Sequence, residues 1–361
     1  MSRLRVAVIG AGHLGRIHAK LLGSVDGAEL VAISDPVDSA RDNASTLFDV
    51  PVVADYRELV DKIDAAVIAA PTDAHAEIAT DLLKAGKHLL VEKPLATTAA
   101  DANKLAMLAD SRRLTLQVGH VERFNPAFTA LGDVGVDAKY VEAVRASRFP
   151  GRCLDVGVVM DLMIHDIDLV CAMTNAALNN VSASGLAVVS DHEDIAEARL
   201  EFECGLVANL KASRVSPTPA RGMQVFGSNG FAEIDFSGPA LHMVRPSDML
   251  VQRSFELDQA TDNPLAYADE LFNDHLQISS TELEPRNAIL DELHDFVISI
   301  QSGMSPTVNG TAGARAVTIA ERIVQAIADR AWYAGATPSE IGAMANVRTR
   351  IDAASRQRRA A

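Results

Sequence analysis

The sequence predicts an α/β protein in two parts. The first is an N-terminal doubly wound parallel sheet; the second is a C-terminal α+β domain with a large open, mostly antiparallel sheet. Three observations carry this. Over the first 120 residues, short apolar strand-like runs alternate with helix-periodic stretches, the pattern of a parallel sheet covered on both faces. After about residue 124 the strand-like runs are joined by short turns such as Glu203-Cys204-Gly205 and Gly227-Ser228-Asn229-Gly230, which favours antiparallel pairing. A chain of 361 residues holds about two domains at roughly 150 residues each. The expected boundaries are 1–122 for the first domain, 123–335 for the second and 336–361 for a tail.

Residues 5–9 (RVAVI) form the first expected strand, a β-branched run ending in glycine, and 14–22 have helical periodicity. Further strands are expected at 30–34 (LVAIS), 65–70 (AAVIAA), 88–91 (HLLV) and 114–118 (LTLQV), with helices between them at about 38–48, 74–85 and 98–112. In the second part, strands are expected at 138–149, 181–189, 196–203, 206–214, 223–227 and 231–236. A helix over 158–173 precedes most of them, and helices at about 285–301 and 311–334 follow. The acidic, polar stretch 254–284, with Asn263-Pro264 inside it, reads as a surface excursion. The Arg-rich tail reads as a solvated helix end.

Composition narrows the function classes. Apolar residues make up 48% and charged residues 22%, ordinary for a globular protein with a real core. Asp and Glu outnumber Lys and Arg by 48 to 33, for a net charge of −15; such a surface repels nucleic-acid phosphate, although one pocket can still be locally positive. The cysteines, Cys153, Cys171 and Cys204, are too few and too far apart for a disulfide or zinc framework, and no metal site is expected. There is no apolar run of the ~20 residues a membrane span needs and no signal-peptide core at the N-terminus, so the expected location is the cytoplasm.

The sharpest motif is Gly10-Ala11-Gly12-His13-Leu14-Gly15, a G-x-G-x-x-G between an expected strand and an expected helix, with Asp35 at the end of the second strand. This is the full dinucleotide fingerprint. Gly10 permits the tight turn, Gly12 lets backbone approach a pyrophosphate, and Gly15 packs helix on strand. His13 and Leu14 complete the cofactor turn, while the His13 and His18 side chains read as local packing or capping. Unpaired N–H groups at the helix start favour an anion. Asp35 would accept from the adenosine ribose hydroxyls and repel a 2′-phosphate, and the next residues are Pro36, Val37 and Asp38, with no arginine. NAD is therefore expected rather than NADP.

Four motifs in one order, Gly10–Gly15, Pro71-Thr72 with His75, Glu92-Lys93-Pro94, and Asp161-x-x-x-His165, together resemble the Gfo/Idh/MocA oxidoreductases over about residues 3–335. The resemblance implies a Rossmann domain followed by a domain whose open sheet commonly forms the interface of a homodimer or homotetramer. It implies that Lys93, Asp161 and His165 are the catalytic set. The chemistry is consistent: oxidising an alcohol needs a base near neutral pH, a role suited to histidine, and a lysine can stabilise developing alkoxide charge. Asp161 and His165, at i and i+4 of a helix, share one face. The resemblance further places Pro71, Thr72 and His75 beside the nicotinamide ribose, Gly119 and His120 along the nicotinamide pocket, and Glu92 as the group orienting Lys93 or the cofactor. Asn125 becomes a substrate contact, and Arg123 a substrate-side group or an ion-pair partner at the domain seam. One departure stands out: family members often carry glycine two residues after the aspartate, where this chain has Met163.

Two stretches, VGHVERFNPA and DVGVVMDLMIHDIDLV, resemble the UDP-N-acetylglucosamine 3-dehydrogenases within that family, which oxidise a sugar 3-hydroxyl to a ketone in routes of the lipid A type. A diphosphate substrate would need cations, and Arg148, Arg152, Arg214 and Arg221 are the candidates in the second domain, since a guanidinium can bind two phosphate oxygens. Arg148, Lys93, Asn125, Asp161 and His165 make up the expected substrate contacts. An inositol or monosaccharide dehydrogenase is the alternative within the family. A non-catalytic NAD-sensing protein is the alternative of another class.

Overall fold

The N-terminal sheet of the protein, seen in a computed structural model, is built from β1 (Leu4–Ile9), β2 (Ala28–Ser34), β3 (Val52–Val53), β4 (Ala65–Ile68), β5 (His88–Glu92) and β6 (Leu116–Gly119), ordered β3-β2-β1-β4-β5-β6. Every pairing in it is parallel. All four residues of β4 are buried, as expected of a strand covered on both faces. The linking helices are α1 (His13–Leu22), α2 (Asp38–Leu47), α3 (Thr72–Lys84) and α4 (Ala99–Arg112). Two pieces were absent from the sequence expectation: β3, only two residues long, and a 3-10 helix at Tyr56–Lys62. Neither is long enough to carry a periodic signal. The strand order reverses between β1 and β4, and such switch points are where open α/β sheets bind ligands.

The structure describes residues 3–149, 156–238, 240–254 and 263–329. These fall into two units, Met1–Pro126 with Arg286–Glu321, and Ala127–Pro285 with Arg322–Ala361. The first unit therefore reclaims a late segment that the expected division left wholly in the second domain. The reason is burial. The helix at Ala288–Ser302 sends Leu293, Phe296 and Val297 into one apolar cluster with Val6, Val8, Leu22, Ile33, Val67 and Leu90.

In the second unit, α5 (Pro126–Val134) leads to β7 (Ala138–Ala146). A π-helical turn, Val159–Met163, runs directly into α6 (Ile164–Met173). The sheet continues with β8 (Leu178–Leu186), β9 (Ile195–Phe202), β10 (Val207–Ser213), β11 (Ala220–Gly227), β12 (Gly230–Asp235) and β13 (Ala240–Pro246). The short helices α7 (Asp248–Val251) and α8 (Pro264–Glu270) precede β14 (Leu276–Glu282), and the first unit's α9 (Ala288–Ser302) and then α10 (Gly310–Asp329) close the described chain. The strand order is β14-β13-β12-β11-β7-β10-β9-β8, antiparallel except for the β7–β10 pair. Along β7 and β9 buried and exposed residues alternate, and the π turn and α6 pack on β10 and β7.

The stretch read as a surface excursion thus contributes an edge strand. Only the first residue of β14 is even partly buried, so no apolar alternation marks it in the sequence. Arg152, Cys153, residues 330–334 of the expected last helix and the tail 336–361 lie outside the described residues.

Candidate active site

The first unit gathers most of the expected cofactor residues at one edge, because parallel strands end together. Gly10 follows β1, Asp35 follows β2, Pro71 and Thr72 open α3 after β4, Lys93 follows β5, and Gly119 ends β6. The glycine turn has distinct jobs at each position. Gly10 has φ +97°, and a Cβ there would stand 2.6 Å from the Ala69 backbone, so the turn closes tightly against the end of β4. A Cβ on Gly15 would stand 1.8 Å from the Gly10 carbonyl oxygen. Gly12, by contrast, faces open space with nothing within 4 Å.

No side chain caps α1 and no acid lies in its first turn, so its N–H groups and dipole are presented to an anion. Exposed His13 and Leu14 flank that opening. Asp35 is buried; its Oδ2 accepts from the Ala11 N–H at 2.7 Å and its Oδ1 from the Val37 N–H at 2.8 Å. A carboxylate offers about four acceptor sites, so bracing the turn leaves capacity for ribose hydroxyls. The open cradle at Gly12, the uncapped helix and the braced acid fit a dinucleotide. Arg41, six residues past Asp35, donates to the Asp35 carbonyl at 2.9 Å and pairs with Asp38.

His75 is buried, with Nδ1 2.9 Å from the Pro94 carbonyl and Nε2 2.8 Å from the Ala70 carbonyl. It ties the end of β4 to the segment after Lys93. Glu92 is buried against His18, whose Nε2 lies 2.7 Å from Glu92 Oε1. The Lys93 N–H approaches Glu92 Oε2 at 3.3 Å, and Lys93 itself is half-buried. A Cβ on Gly119 would stand 2.9 Å from that same Oε2, so glycine here is what admits the Glu92 side chain. Burial opposes ionisation of Glu92, but the His18 hydrogen bond, then the charges of His18 and Lys93, outweigh it and hold the carboxyl below its ordinary range. His120 is fully buried. Asn125 is also buried, and its amide sits 3.5 Å from Glu122.

In the second unit, buried Asp161 lies in the π turn and half-buried His165 in the first turn of α6. The helix expected over 158–173 therefore begins as a π turn, a form frequent at functional sites. Glu193 anchors it: its carbonyl accepts from the Val158 N–H at 2.8 Å, and its Oε1 from the Val159 N–H at 3.3 Å. A Cβ on Gly157 would stand 1.9 Å from that oxygen, so glycine makes room for the acid. Burial pushes the Glu193 carboxyl up. Asp166, the neighbouring acid, is taken by Arg145, whose Nη2 reaches Oδ1 at 2.7 Å.

The arginines separate. Arg214, a candidate for substrate phosphate, is fully buried and bound to Asp194 at 2.8 Å, with further donation to the Val156 carbonyl at 2.9 Å and Ser190 Oγ at 2.8 Å. It is a core ion pair. Arg148 is exposed, its Nε 3.4 Å from the Pro217 carbonyl, and Arg221 is half-buried on β11. Sequence reasoning also passed over Glu292. This buried acid of α9 lies with His18 and Glu92 so that one ligand-capable atom of each is within 4.8 Å of the others. The available signal was an acid inside the buried stripe of α9, and a histidine within the buried Gly15, His18, Ala19, Leu22 stripe of α1.

Residues 4–120 match the model of the oxidoreductase family with an NAD-binding Rossmann fold, and residues 134–233 match the GFO/IDH/MocA C-terminal domain. The UDP-N-acetylglucosamine 3-dehydrogenase of Acidithiobacillus ferrooxidans is 33% identical over 329 residues, covering 91% of this chain and 98% of its own. A solved structure of that enzyme superposes with a TM-score of 0.79 at 31% identity, again over 91% of this chain and 98% of the other. The myo-inositol 2-dehydrogenase of Thermotoga maritima is 27% identical over 335 residues, covering 88% and 94%. The dinucleotide turn at the sheet's switch point, the Glu92-Lys93-Pro94 strand end and a likeness extending over nine-tenths of the chain agree: the protein belongs to the Gfo/Idh/MocA oxidoreductases.

Proposed function

We propose that the protein is an NAD-dependent dehydrogenase that oxidises a sugar hydroxyl to a ketone, with C3 of UDP-N-acetylglucosamine as the leading target. The observation that carries the reading is the near full-length likeness to an enzyme of that name. The position of Lys93 at the end of β5, braced through Glu92, supports the chemistry. Gly12, with His13 and Leu14, takes the pyrophosphate on the turn that Gly10 and Gly15 shape, and Asp35 takes the ribose, which favours NAD over NADP because a 2′-phosphate would meet a carboxylate. Pro71, Thr72, Gly119 and His120 complete the cofactor side, with His75 and Glu92 holding its walls. NAD, when bound, supplies the hydride acceptor.

The chain's own groups then handle the proton. Lys93 donates a hydrogen bond to the substrate oxygen and stabilises its growing negative charge. His165 accepts the hydroxyl proton as hydride leaves the carbon that bears that oxygen, and Asp161 orients the imidazole and balances its charge. Asn125 and Arg148 contact substrate. The enzyme works as a homodimer or homotetramer through the open face of the second sheet.

The test is turnover of NAD with UDP-N-acetylglucosamine, UDP-glucose, N-acetylglucosamine and myo-inositol offered separately, with product masses measured. A product two mass units lighter from UDP-N-acetylglucosamine alone is expected. Lys93→Ala and His165→Ala are each expected to lower kcat by about 10²–10⁴-fold, the usual weight of a proton-handling group, while NAD binding persists. Turnover of myo-inositol instead would favour the polyol reading suggested by the Thermotoga relative. NAD binding without turnover of any would favour a sensor.

A further inference from the structure

Behind Lys93 lies a cluster of which the proposed chemistry uses only Glu92. His18, Glu92 and Glu292 come from α1, β5 and α9, and their relative exposures are 0%, 9% and 1%. The His18 Nε2–H donates to Glu92 Oε1 at 2.7 Å. Glu92 Oε2 turns back to the Lys93 N–H and lies over Gly119. Glu292 Oε1 is buried with no hydrogen-bond partner among the described residues. Two carboxylates this close, both out of water, cannot both ionise without a large cost, and an unpaired buried carboxylate oxygen compounds it. Glu92 has the imidazole and the lysine, so it keeps the charge.

We propose that Glu292 is a neutral carboxylic acid at neutral pH and that, with His18, it is a positioning group for Lys93, acting through Glu92. The cluster leaves a single ionised carboxylate, that of Glu92, behind the lysine, with its direction set by His18 and by the space at Gly119. This rests on the reading of Lys93 as a catalytic residue. The electrostatics agree: burial, then Glu92, then Asp295 push the Glu292 carboxyl well above its ordinary range. The elements packed around Glu292 carry other charged and titratable groups besides Glu92. Besides His18, α1 carries His13, Arg16 and Lys20; β5 carries His88, and Lys93 follows it; the 3-10 turn at Val121–Phe124 carries Glu122 and Arg123; α9 itself carries Asp291, His294 and Asp295.

Three measurements on the whole protein test this. Infrared difference spectra of wild type and Glu292→Gln should show a protonated carboxyl band at pH 7 in the wild type that the variant lacks. Its absence overturns the proposal. In thermal melts, folding raises the Glu292 carboxyl above its unfolded value. Its stabilisation is therefore complete below the ordinary carboxyl range and is lost as pH rises from there through the folded value. The Tm of wild type should accordingly fall relative to Glu292→Gln from pH 5 to pH 9, about those limits; a constant difference counts against it. For His18, His18→Leu should lower kcat by about ten- to hundredfold, the weight of a hydrogen bond to a charged group, with KM for NAD little changed. His18→Gln, which can return an N–H to Glu92, should recover part of that loss. Equal loss in both variants, or a loss in KM alone, contradicts positioning. A stoichiometric divalent ion in the purified protein, found by elemental analysis, would replace the neutral acid with a metal site and overturn the proposal. If no sugar is turned over, the catalytic reading of Lys93 fails, and the spectra and melts still decide the state of Glu292.

Discussion

Gly12 and Gly15 face the same substitution with opposite consequences. At Gly15 a methyl group would collide with the Gly10 carbonyl at 1.8 Å, and that partner is backbone that cannot rotate away. Gly15→Ala is expected to cost about 1–3 kcal/mol or more in stability, read as a fall in Tm. At Gly12 the space is open, and Gly12→Ala should stay within about 1 kcal/mol as a helix-cap change. It should still weaken NAD binding by about tenfold or more, because the methyl stands where the pyrophosphate must approach backbone. Calorimetric titration with NAD beside a thermal melt checks both; a Gly12→Ala protein that binds NAD normally would remove the cofactor from this turn. The spacing of the three glycines already assigns the tight turn to Gly10, the open approach to Gly12 and the packing to Gly15, and the coordinates supply the distances that make the first and third intolerant of a side chain. For Gly119 they supply the reason as well: its missing side chain is explained by Glu92.

Two buried ion pairs tie together the elements of the second unit. Arg145 of β7 holds Asp166 of α6, and Arg214, just past β10, holds Asp194, just before β9. Asp194 also accepts from the N–H groups of Val188, Val189 and Ser190. Burial opposes its charge, yet these donors and Arg214 prevail and hold the carboxyl well below its usual range. Its stabilisation is therefore present above the ordinary aspartate range and lost as pH falls through the folded value. Arg214→Met is expected to destabilise by about 3–5 kcal/mol, because it strands a buried carboxylate, and Arg214→Met with Asp194→Leu should recover part of it in denaturant melts. A phosphate-binding Arg214 would instead leave stability intact and raise KM for a UDP-sugar. Arginine on an expected strand end is ambiguous in sequence, since the partner Asp194 lies twenty residues away and is recognisable only once β9 and β10 pair.

The whole molecule is two units threaded by one chain that leaves the first and returns to it. A chain ending at Pro126 would keep all six strands of the first sheet but lose Leu293, Phe296 and Val297 from its core. At roughly 1.5–3 kcal/mol for each fully buried side chain, that loss is on the order of a small domain's entire stability. Such a chain is expected to show no cooperative thermal transition by circular dichroism, and a sharp one would show that α9 is dispensable. The linear order of residues was enough for the parallel sheet, the glycine turn at Gly10–Gly15, the place of Lys93 after β5 and the predominantly antiparallel second sheet. Each of these is written in short-range patterns: strand and helix periods, glycine spacing, turn residues. Folding in three dimensions decided the rest. It drew α9 into the first core, recruited β14 as an exposed edge, buried Arg214 on Asp194 and brought His18 and Glu292 to Glu92. Those are contacts between residues far apart in the chain, and hydrophobic burial and charge pairing act on distance in space, which no local period records.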